Sequence, residues 1–469
     1  MKKRFGLLFT AFILNSSIIY ASESIDLTAA IEILKKENLE IKSASLELQS
    51  AKEDVKTASG NHWGKLDFIQ DFANSDDAGN VFGFKLTSRE ATFGDFGFNE
   101  FLTPLGQAIG GAAADIAPSD MSGLLAVQPD DLNYPDSRNF FQSKLKYEVP
   151  IFTGFKISSY TDIMNSMTKM KTLEKKQVVN EKIYQIRKSF YDMALLRNSS
   201  ENLNTILQNI DTLELITKNM IEVGYAKKVD LLEVKAKKGN VERLISQMDS
   251  NQKLLYHFIS FLLNQKVTEI QTPSMDMPMP SYTNDDILSS NIDIKRANNG
   301  LGIKKSMVQL SEASYYPMIG AFAEVSTADN SFLGEASDHA AYTIGARLTW
   351  NIFNGGIDSA NVEKARLDFI KTKTQVQLAN SGIALQIDKI KTEIDTYNHD
   401  IISLEKELAL ADEIYKNYEG RYKEKLSSMS DVIIKQSEQI QKILQLNQAR
   451  NKRNERIFAL EKLANGEDK

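Results

Sequence analysis

Few side chains in this chain combine the types and the spacing that chemistry requires. The four histidines, His62, His257, His339 and His399, are scattered and lack the spacing of metal ligands. Cysteine is absent, which excludes disulfides and thiolate metal sites. The sequence also has no glycine-rich phosphate loop and no nucleophile elbow. We therefore predict that the protein is not an enzyme and has no catalytic, cofactor-binding or metal-binding residues.

A methionine-rich segment is the remaining candidate for metal binding. Met275, Met277 and Met279 lie between Pro273 and Pro280. Thioethers favour copper, but these lack the imidazole or thiolate ligands that usually accompany them. Methionine also fills irregular gaps between packed elements. We interpret the segment as part of a linker that packs against helices.

Two aspartates occupy corresponding places in the chain. Asp230 and Asp431 are 201 residues apart (431 − 230), and each precedes an apolar helix start. An aspartate at such a place can accept hydrogen bonds from the unpaired N–H groups of the first helical turn. Helix capping is therefore the first interpretation of both residues, and their spacing belongs to a larger repeat.

The chain contains two related halves, which two constant offsets align. The offset of 201 residues pairs Tyr147, Val149, Phe152 and Gly154 with Leu348, Trp350, Phe353 and Gly355. Nearer the amino terminus the offset is 253 residues (291 − 38), which pairs Asn38, Ile41 and Trp63 with Asn291, Ile294 and Tyr316. A period this long indicates duplication of a whole structural unit, not a solenoid. The predicted divisions are a signal peptide at 1–21, a first repeat at 22–267, a linker at 268–284 and a second repeat at 285–469.

The amino terminus and the composition limit the location and the partners. Lys2, Lys3 and Arg4 precede an apolar run, and a plausible cleavage site ends at Ala21, as in a secretory signal. The run is too short for a spanning helix, which needs roughly 20 apolar residues. A formal net charge of −6 does not favour nucleic acid as a partner.

Heptad periodicity predicts long helices that carry a narrow apolar stripe. In the second half the stripe runs through Ile383, Ile387, Ile390, Ile394, Tyr397, Ile401, Leu404, Leu408, Ala411, Tyr415, Tyr418 and Tyr422. A helix from about Ser359 to Glu424 would be on the order of 100 Å long at 1.5 Å per residue. Such a length suits a structure that spans a gap.

Period-two alternation predicts four strands. The apolar positions are Leu66, Phe68 and Phe72; Leu145, Tyr147, Val149 and Ile151; Ile319, Ala321, Ala323 and Val325; and Ile344, Ala346, Leu348, Trp350 and Ile352. One interpretation is a soluble sandwich with its apolar face inward. The other places Leu145, Tyr147, Val149, Ala346, Leu348 and Trp350 against lipid and the charged face along a watery lumen. Four strands cannot enclose a lumen, so this second interpretation requires several chains to pool their strands.

Two kinds of motif occur in both halves. Tyr147–Gly154 and Leu348–Gly356 each open a long helix, and Ile221–Leu232 and Tyr422–Ile433 each join two helices. These segments resemble the strand-to-helix and periplasmic-turn motifs of the TolC-like outer-membrane efflux proteins. The resemblance implies a mainly α-helical fold with a membrane β-barrel portion. In that fold a homotrimer builds a twelve-stranded barrel, four strands per protomer, which continues into a long periplasmic α-helical barrel.

The function implied by the resemblance is a passive one. Such proteins are the exit ducts of tripartite efflux or type I secretion systems in the outer membrane of Gram-negative bacteria. The implied partners are a periplasmic adaptor (membrane fusion protein), an inner-membrane transporter and outer-membrane lipid. The alternative is a periplasmic coiled-coil scaffold or adaptor that never enters the membrane.

The resemblance also implies a gate at the periplasmic turns. Its candidate residues are Asp230, Asp431, Tyr422 and Gly224, with both aspartates lining the pore as well as capping helices. Lys425 replaces the usual glycine in the second turn, so we expect that turn to be built differently from the first.

The first half carries 52 extra residues (253 − 201) between its strands. This surplus segment, within 79–137, is rich in glycine and phenylalanine. We expect an outward-facing loop whose aromatic side chains pack into the barrel mouth or against the lipid leaflet.

Overall fold

The computed structural model describes residues 24–110, 123, 125–275, 277–332, 334–335 and 337–465. The helices in this part of the chain are α1 (Leu27–Glu37), α2 (Leu39–Gly60), α3 (Ala78–Thr87), α4 (Phe98–Gly110), α5 (Asp130–Asn133), α6 (Lys156–Glu222), α7 (Lys228–Leu263), α8 (Asn284–Ser290), α9 (Ile292–Glu312), α10 (Ile357–Lys423) and α11 (Met429–Leu463). The strands are β1 (Lys65–Ser75), β2 (Arg138–Phe152), β3 (Met318–Asp329) and β4 (Ala341–Thr349). The predicted signal peptide at 1–21 lies outside the described residues.

The internal duplication is confirmed in the order and the bounds of the elements. Helices α6 and α10 correspond at both ends at the offset of 201 residues (357 − 156 and 423 − 222). Strands β1 and β3 begin 253 residues apart (318 − 65). The predicted class, mainly helical with a small set of strands, is therefore correct.

One duplicated residue shows why the copies fold alike. Asn38 accepts hydrogen bonds through Oδ1 from the N–H groups of Glu40 and Ile41, and its Nδ2 donates to the carbonyl of Leu262 at 2.8 Å. Its counterpart Asn291 accepts from Ile294 N–H at 3.0 Å and donates to the carbonyl of Leu463 at 3.1 Å. Each asparagine thus caps one helix and ties it to the end of another.

The chain forms two compact units, and each draws on both repeats. The helical unit comprises Met1–Ser50, Thr168–Leu301 and Lys373–Lys469, and the sheet unit comprises Ala51–Met167 and Gly302–Thr372. The compact units therefore do not coincide with the two sequence repeats.

The core of the helical unit contains the predicted heptad stripe. Ile387 and Ile394 are fully buried, whereas Leu385 and Leu410 on other faces of the same helix are 71% and 62% exposed. In the first half, Ile186, Phe190 and Met193 are fully buried together with the end of α7. The stripes are therefore packing surfaces, as the spacing predicts.

The sheet unit holds one antiparallel sheet in the order β1-β2-β3-β4. Tyr147 of β2 lies between Leu66 of β1 and Ala323 of β3, and Ala346 of β4 lies opposite Ala321 of β3. Because partners across a ladder share a face, this register collects the apolar positions of all strands on one side.

The surplus segment contains α3, α4 and α5, so it is more regular than the loop that the composition predicts. The ring of Phe84 on α3 stacks on Phe140 of β2 with centroids 4.2 Å apart. Arg138, the first residue of β2, pairs with Glu90 and donates to Ser88 Oγ. These contacts fasten the described part of the segment to the sheet.

Among the described residues, none of the helices combines the length and the apolar character needed to cross a lipid bilayer.

Candidate channel surfaces

The first candidate surface is the apolar face of the sheet. Its members are Leu66, Phe68, Phe72, Leu145, Tyr147, Val149, Ala321, Ala323, Val325, Tyr342, Ile344, Ala346 and Leu348. Ile344 is 75% exposed, Leu66 62% and Leu348 61%, so no described segment covers the centre of this face. Soluble proteins rarely expose a continuous apolar area of this kind. The six predicted lipid-facing residues all lie on this face or, for Trp350, directly after it.

Two aromatic side chains anchor the face near the ends of its strands. The Trp350 indole Nε1–H donates to the carbonyl of Tyr315 at 3.2 Å. The Tyr147 hydroxyl donates to the carbonyl of Trp63 at 2.8 Å. Rings that are apolar on one side and hydrogen-bonded at their polar atom suit the boundary between lipid and water.

The second candidate surface is the polar face of the same sheet. Lys146 Nζ lies 2.6 Å from a carboxylate oxygen of Glu148, and Lys65 Nζ lies 2.9 Å from Asp67. Lys144 pairs more loosely with Glu324, at 3.6 Å. Charges that are dense, interleaved and at least partly exposed remain favourable only in contact with water. The two faces therefore require different surroundings.

The third candidate surface consists of two turns in the helical unit. Gly224 and Lys425 both have left-handed backbone conformations, with φ of 81° and 64°. The hydrogen bonds also correspond, because Tyr225 N–H donates to the carbonyl of Met220 and Leu426 N–H donates to that of Arg421, both at 2.8 Å. The expectation that Lys425 changes the second turn is wrong. The same chain reversal after the same helix end imposes the same φ, whichever residue is there.

The two aspartates occupy the third position of the helices that follow these turns. Asp230 Oδ2 accepts from the backbone N–H of Lys227 at 2.7 Å, and Asp431 Oδ2 accepts from that of Ser428 at 3.2 Å. In the second turn Ser428 also donates its hydroxyl to Asp431 at 2.6 Å. The first turn has only the aspartate half of this capping box, because a lysine side chain offers no acceptor oxygen.

Hydrogen bonds from the hydroxyl and the backbone N–H of Ser428 hold the pKa of Asp431 below its usual range. The carboxylate is therefore ionised at neutral pH. Its charge is exposed at the turn, which is compatible with both capping and pore lining.

Solved structures resemble this architecture over nearly the whole chain. The outer-membrane channel CusC covers 95% of the chain and 95% of its own length with a TM-score of 0.76 at 12% identity. VceC of Vibrio cholerae has a TM-score of 0.73 at 15% identity and covers 94% of this chain and 96% of its own length. The CmeC outer-membrane channel of Campylobacter jejuni has a TM-score of 0.73 at 14% identity and covers 94% of this chain and 85% of its own length. The chain has the TolC-like outer-membrane channel fold. The fold that the sequence motifs imply for the single chain is thereby confirmed.

Similarity in sequence covers less of the chain than similarity in structure does. No protein-family model matches the chain. Nodulation protein T of Rhizobium leguminosarum bv. trifolii is 22% identical over 242 residues, which are 48% of this chain and 50% of that protein. Nodulation protein T of Rhizobium leguminosarum bv. viciae is 22% identical over 229 residues, which are 46% of this chain and 47% of that protein. The chain thus spans about half the length of the curated relatives it matches.

Within this TolC-like fold, Tyr422 is a packing residue of the helical unit. It is 6% exposed and belongs to an apolar cluster with Leu213, Val234 and Val432. Its hydroxyl lies 3.3 Å from Thr217 Oγ1. Burial raises the pKa of the Tyr422 hydroxyl, and the nearby Asp230 carboxylate acts in the same direction. The structure thus brings Tyr422 close to one of the two aspartates.

One contact between the turns escaped the sequence analysis. The Lys425 ammonium lies 3.3 Å from the centroid of the Tyr225 ring, which belongs to the first turn. The residues are far apart in sequence, and neither belongs to a periodic pattern. Only the observation that Lys425 stands where glycine is usual could have drawn attention to it.

A second missed group lies in the sheet unit. Ligand-type atoms of Glu90, Asp329 and His339 come within 4.8 Å of one another. Arg138 already pairs with Glu90, and Asp329 accepts the backbone N–H of Glu335 at 2.6 Å. The Arg138 guanidinium and backbone N–H groups thus already bind these carboxylates. We interpret the group as an ion-pair network that fastens the surplus segment to the sheet.

Proposed function

We propose that this protein is the outer-membrane exit duct of a tripartite efflux or type I secretion system. Substrates delivered by an inner-membrane transporter would pass through it without any chemical change. A periplasmic adaptor would couple the two proteins. The duct supplies a path, and the transporter supplies the free energy.

The observation that carries the proposal is the two-sided sheet. Its apolar face is exposed, and its opposite face carries dense charge. A soluble sandwich requires a second layer over the apolar face, and no described segment supplies one. Lipid on one side and water on the other satisfies both faces.

The number of strands supports a homotrimer. The chain contributes four antiparallel strands in one sheet. A barrel with a watery lumen needs more strands than this, and three copies would give twelve. Closure would also pair the free edges of β1 and β4, which otherwise expose unpaired backbone groups.

The turns after α6 and α10 support a charged gate. With three copies, Asp230 and Asp431 would place six carboxylates around one opening. A ring of like charges attracts cations and repels anions at close range. Gly224 and Tyr422 would shape this gate through the turn and the helix packing beside it.

Fractionation and conductance test the proposal together. The full-length protein is expressed in a Gram-negative host, and membrane fractions are analysed by electrophoresis with and without heating. We expect an outer-membrane trimer that dissociates on heating and that conducts in planar bilayers. A soluble periplasmic monomer would refute the duct and favour the coiled-coil scaffold instead.

A further inference from the structure

The polar face of the sheet contains a hollow that the ion-pair ladder does not fill. It is open, has a volume of about 1070 Å³, and lies entirely within the sheet unit. Its base is the part of the sheet around Pro150 and Gly320. These positions carry little or no side chain, so they leave room above the backbone.

An aromatic ring forms part of the floor of the hollow. Phe322 is on the polar face, directly opposite Gly345 of β4. A Cβ added at Gly345 would lie 2.6 Å from the tip of the Phe322 ring, so the ring lies against the glycine backbone. Met318 and Leu310 also line the hollow. An apolar floor on an otherwise charged face offers a place for a flat, apolar group.

The charges around the hollow are unbalanced. Four lining residues are basic (Lys65, Lys146, Lys156 and Arg347) and two are acidic (Glu148 and Glu324). The sequence as a whole is acidic, with a formal net charge of −6. The local excess of positive charge is therefore a property of this site.

Two of the basic residues make no ion pair with the described part of the chain. Lys65 pairs with Asp67 and, more loosely, with Glu148, and Lys146 pairs with Glu148. Arg347 and Lys156 are exposed and have no such partner. The neighbour of Arg347 across the ladder is Gly320, and beyond it lies Pro150, so its row of the sheet contains no carboxylate. A guanidinium without a protein partner is suited to bind a carboxylate or sulfonate in a bidentate manner.

We propose that this hollow binds organic anions that carry an aromatic ring. The ring lies on Phe322, and the anionic group lies between Arg347 and Lys156. The inference rests on the proposed function, because it assigns a substrate class to the watery face of the duct.

The test uses titration calorimetry on the full-length protein in nonionic detergent. The probes are naphthalene-1-sulfonate and 1-naphthylmethylammonium, which share the ring and differ in the sign of the charge. We expect the sulfonate to bind and the ammonium to bind at least about tenfold more weakly, because only the sulfonate can accept charged hydrogen bonds from Arg347 and Lys156. Equal binding of the two probes would refute the proposed class of ligand.

Variants locate the site. Arg347→Gln and Lys156→Gln remove the free charges, and each should weaken sulfonate binding by about tenfold. Gly320→Leu fills the hollow without changing charge and should also weaken binding, since a Cβ there meets only the carbonyl of Val149, at 3.7 Å. Lys305→Gln is the matched control, because Lys305 is an exposed lysine of the same unit that does not line the hollow.

The control decides between a site and a diffuse charge effect. If Lys305→Gln weakens sulfonate binding as much as Arg347→Gln does, the hollow is not the site. Heat-dependent electrophoresis of each variant shows whether it is assembled.

Conductance in planar bilayers separates the two proposals. A protein that conducts but does not bind the sulfonate refutes the hollow alone, and one that binds without conducting refutes the duct.

Discussion

Lys425 shows how a single residue can tolerate a backbone conformation that usually requires glycine. A left-handed conformation costs a non-glycine residue roughly 1 to 2 kcal/mol. The contact of its ammonium with the Tyr225 ring returns about 0.5 to 1 kcal/mol at an exposed site. The ring contact therefore offsets about half of the strain, which helps lysine persist in the second turn while glycine is kept in the first.

This balance predicts a coupling between the two turns. Lys425→Gly should change the stability of the turns little in the wild-type background, because strain and attraction are lost together. In a Tyr225→Leu background the same substitution should stabilise them by about 1 kcal/mol, since only strain is lost. Hydrogen exchange of the amides in both turns measures the effect. An identical effect in both backgrounds would show that the ring contact contributes nothing.

The lowered pKa of Asp431 predicts an acid-sensitive helix start. A carboxylate whose pKa is depressed in the folded state stabilises that state above the unfolded pKa of about 3.9 and loses this contribution as the pH falls through the folded value. Protection of the first turn of α11 should therefore decrease below about pH 4. Asp431→Asn should remove this dependence, and the matched substitution Asp400→Asn should leave it intact. Unchanged pH dependence in Asp431→Asn would assign the effect to another group.

At the scale of elements, the heptad stripe of α10 separates buried from exposed side chains. Ile394→Ala should lower the free energy of unfolding by about 2 to 5 kcal/mol, because Ile394 is fully buried and its removal leaves a cavity. Leu410→Ala is the control, since Leu410 is 62% exposed and should cost less than about 0.5 kcal/mol. Limited proteolysis of the helical unit with increasing denaturant compares them. Equal resistance of the two variants would mean that the stripe is not a packing surface.

The faces of β4 give a second prediction at this scale. In a bilayer, an arginine on the lipid side costs roughly 2 to 4 kcal/mol near the midplane, whereas the lumen side stays in water. Leu348→Arg should therefore reduce the amount of assembled, heat-modifiable protein in the membrane. Thr343→Arg adds the same charge to the polar face of the same strand and should assemble normally. The opposite ranking would reverse the assignment of the faces.

At the scale of the whole molecule, the proposed duct carries charge of opposite sign at two places. The turns contribute the half-buried Asp230 and the exposed Asp431, and the hollow on the sheet has an excess of basic residues. In a trimer each set is present three times.

The proposed gate predicts the ion preference of the proposed duct. Asp230→Asn with Asp431→Asn keeps an oxygen that accepts the capping hydrogen bond, so the helices should remain folded. The field at the opening weakens, so cation preference in planar bilayers and block by multivalent cations should both decrease. If preference and block stay as in the wild type while channels still form, the aspartates act as caps only.

The sequence by itself determined the long helices and the four strands, because their signals are local. The heptad spacing predicted a helix from about Ser359 to Glu424, and α10 spans Ile357–Lys423. Period-two alternation predicted which residues of each strand share a face. The matched offsets predicted the duplication, and the motifs implied the fold. Each of these signals depends on neighbours within a few residues or on a repeated pattern.

Only the tertiary structure decided how distant residues meet. The contact of Lys425 with Tyr225, the burial of Tyr422, and the ring of Phe322 against Gly345 join residues from different elements. The helices of the surplus segment were also missed, because clustered glycine and phenylalanine have no period that predicts a helix. Register and chain reversal set these contacts, and both are properties of the folded backbone. A local sequence pattern therefore predicts which face a residue belongs to, whereas packing decides what that face contacts.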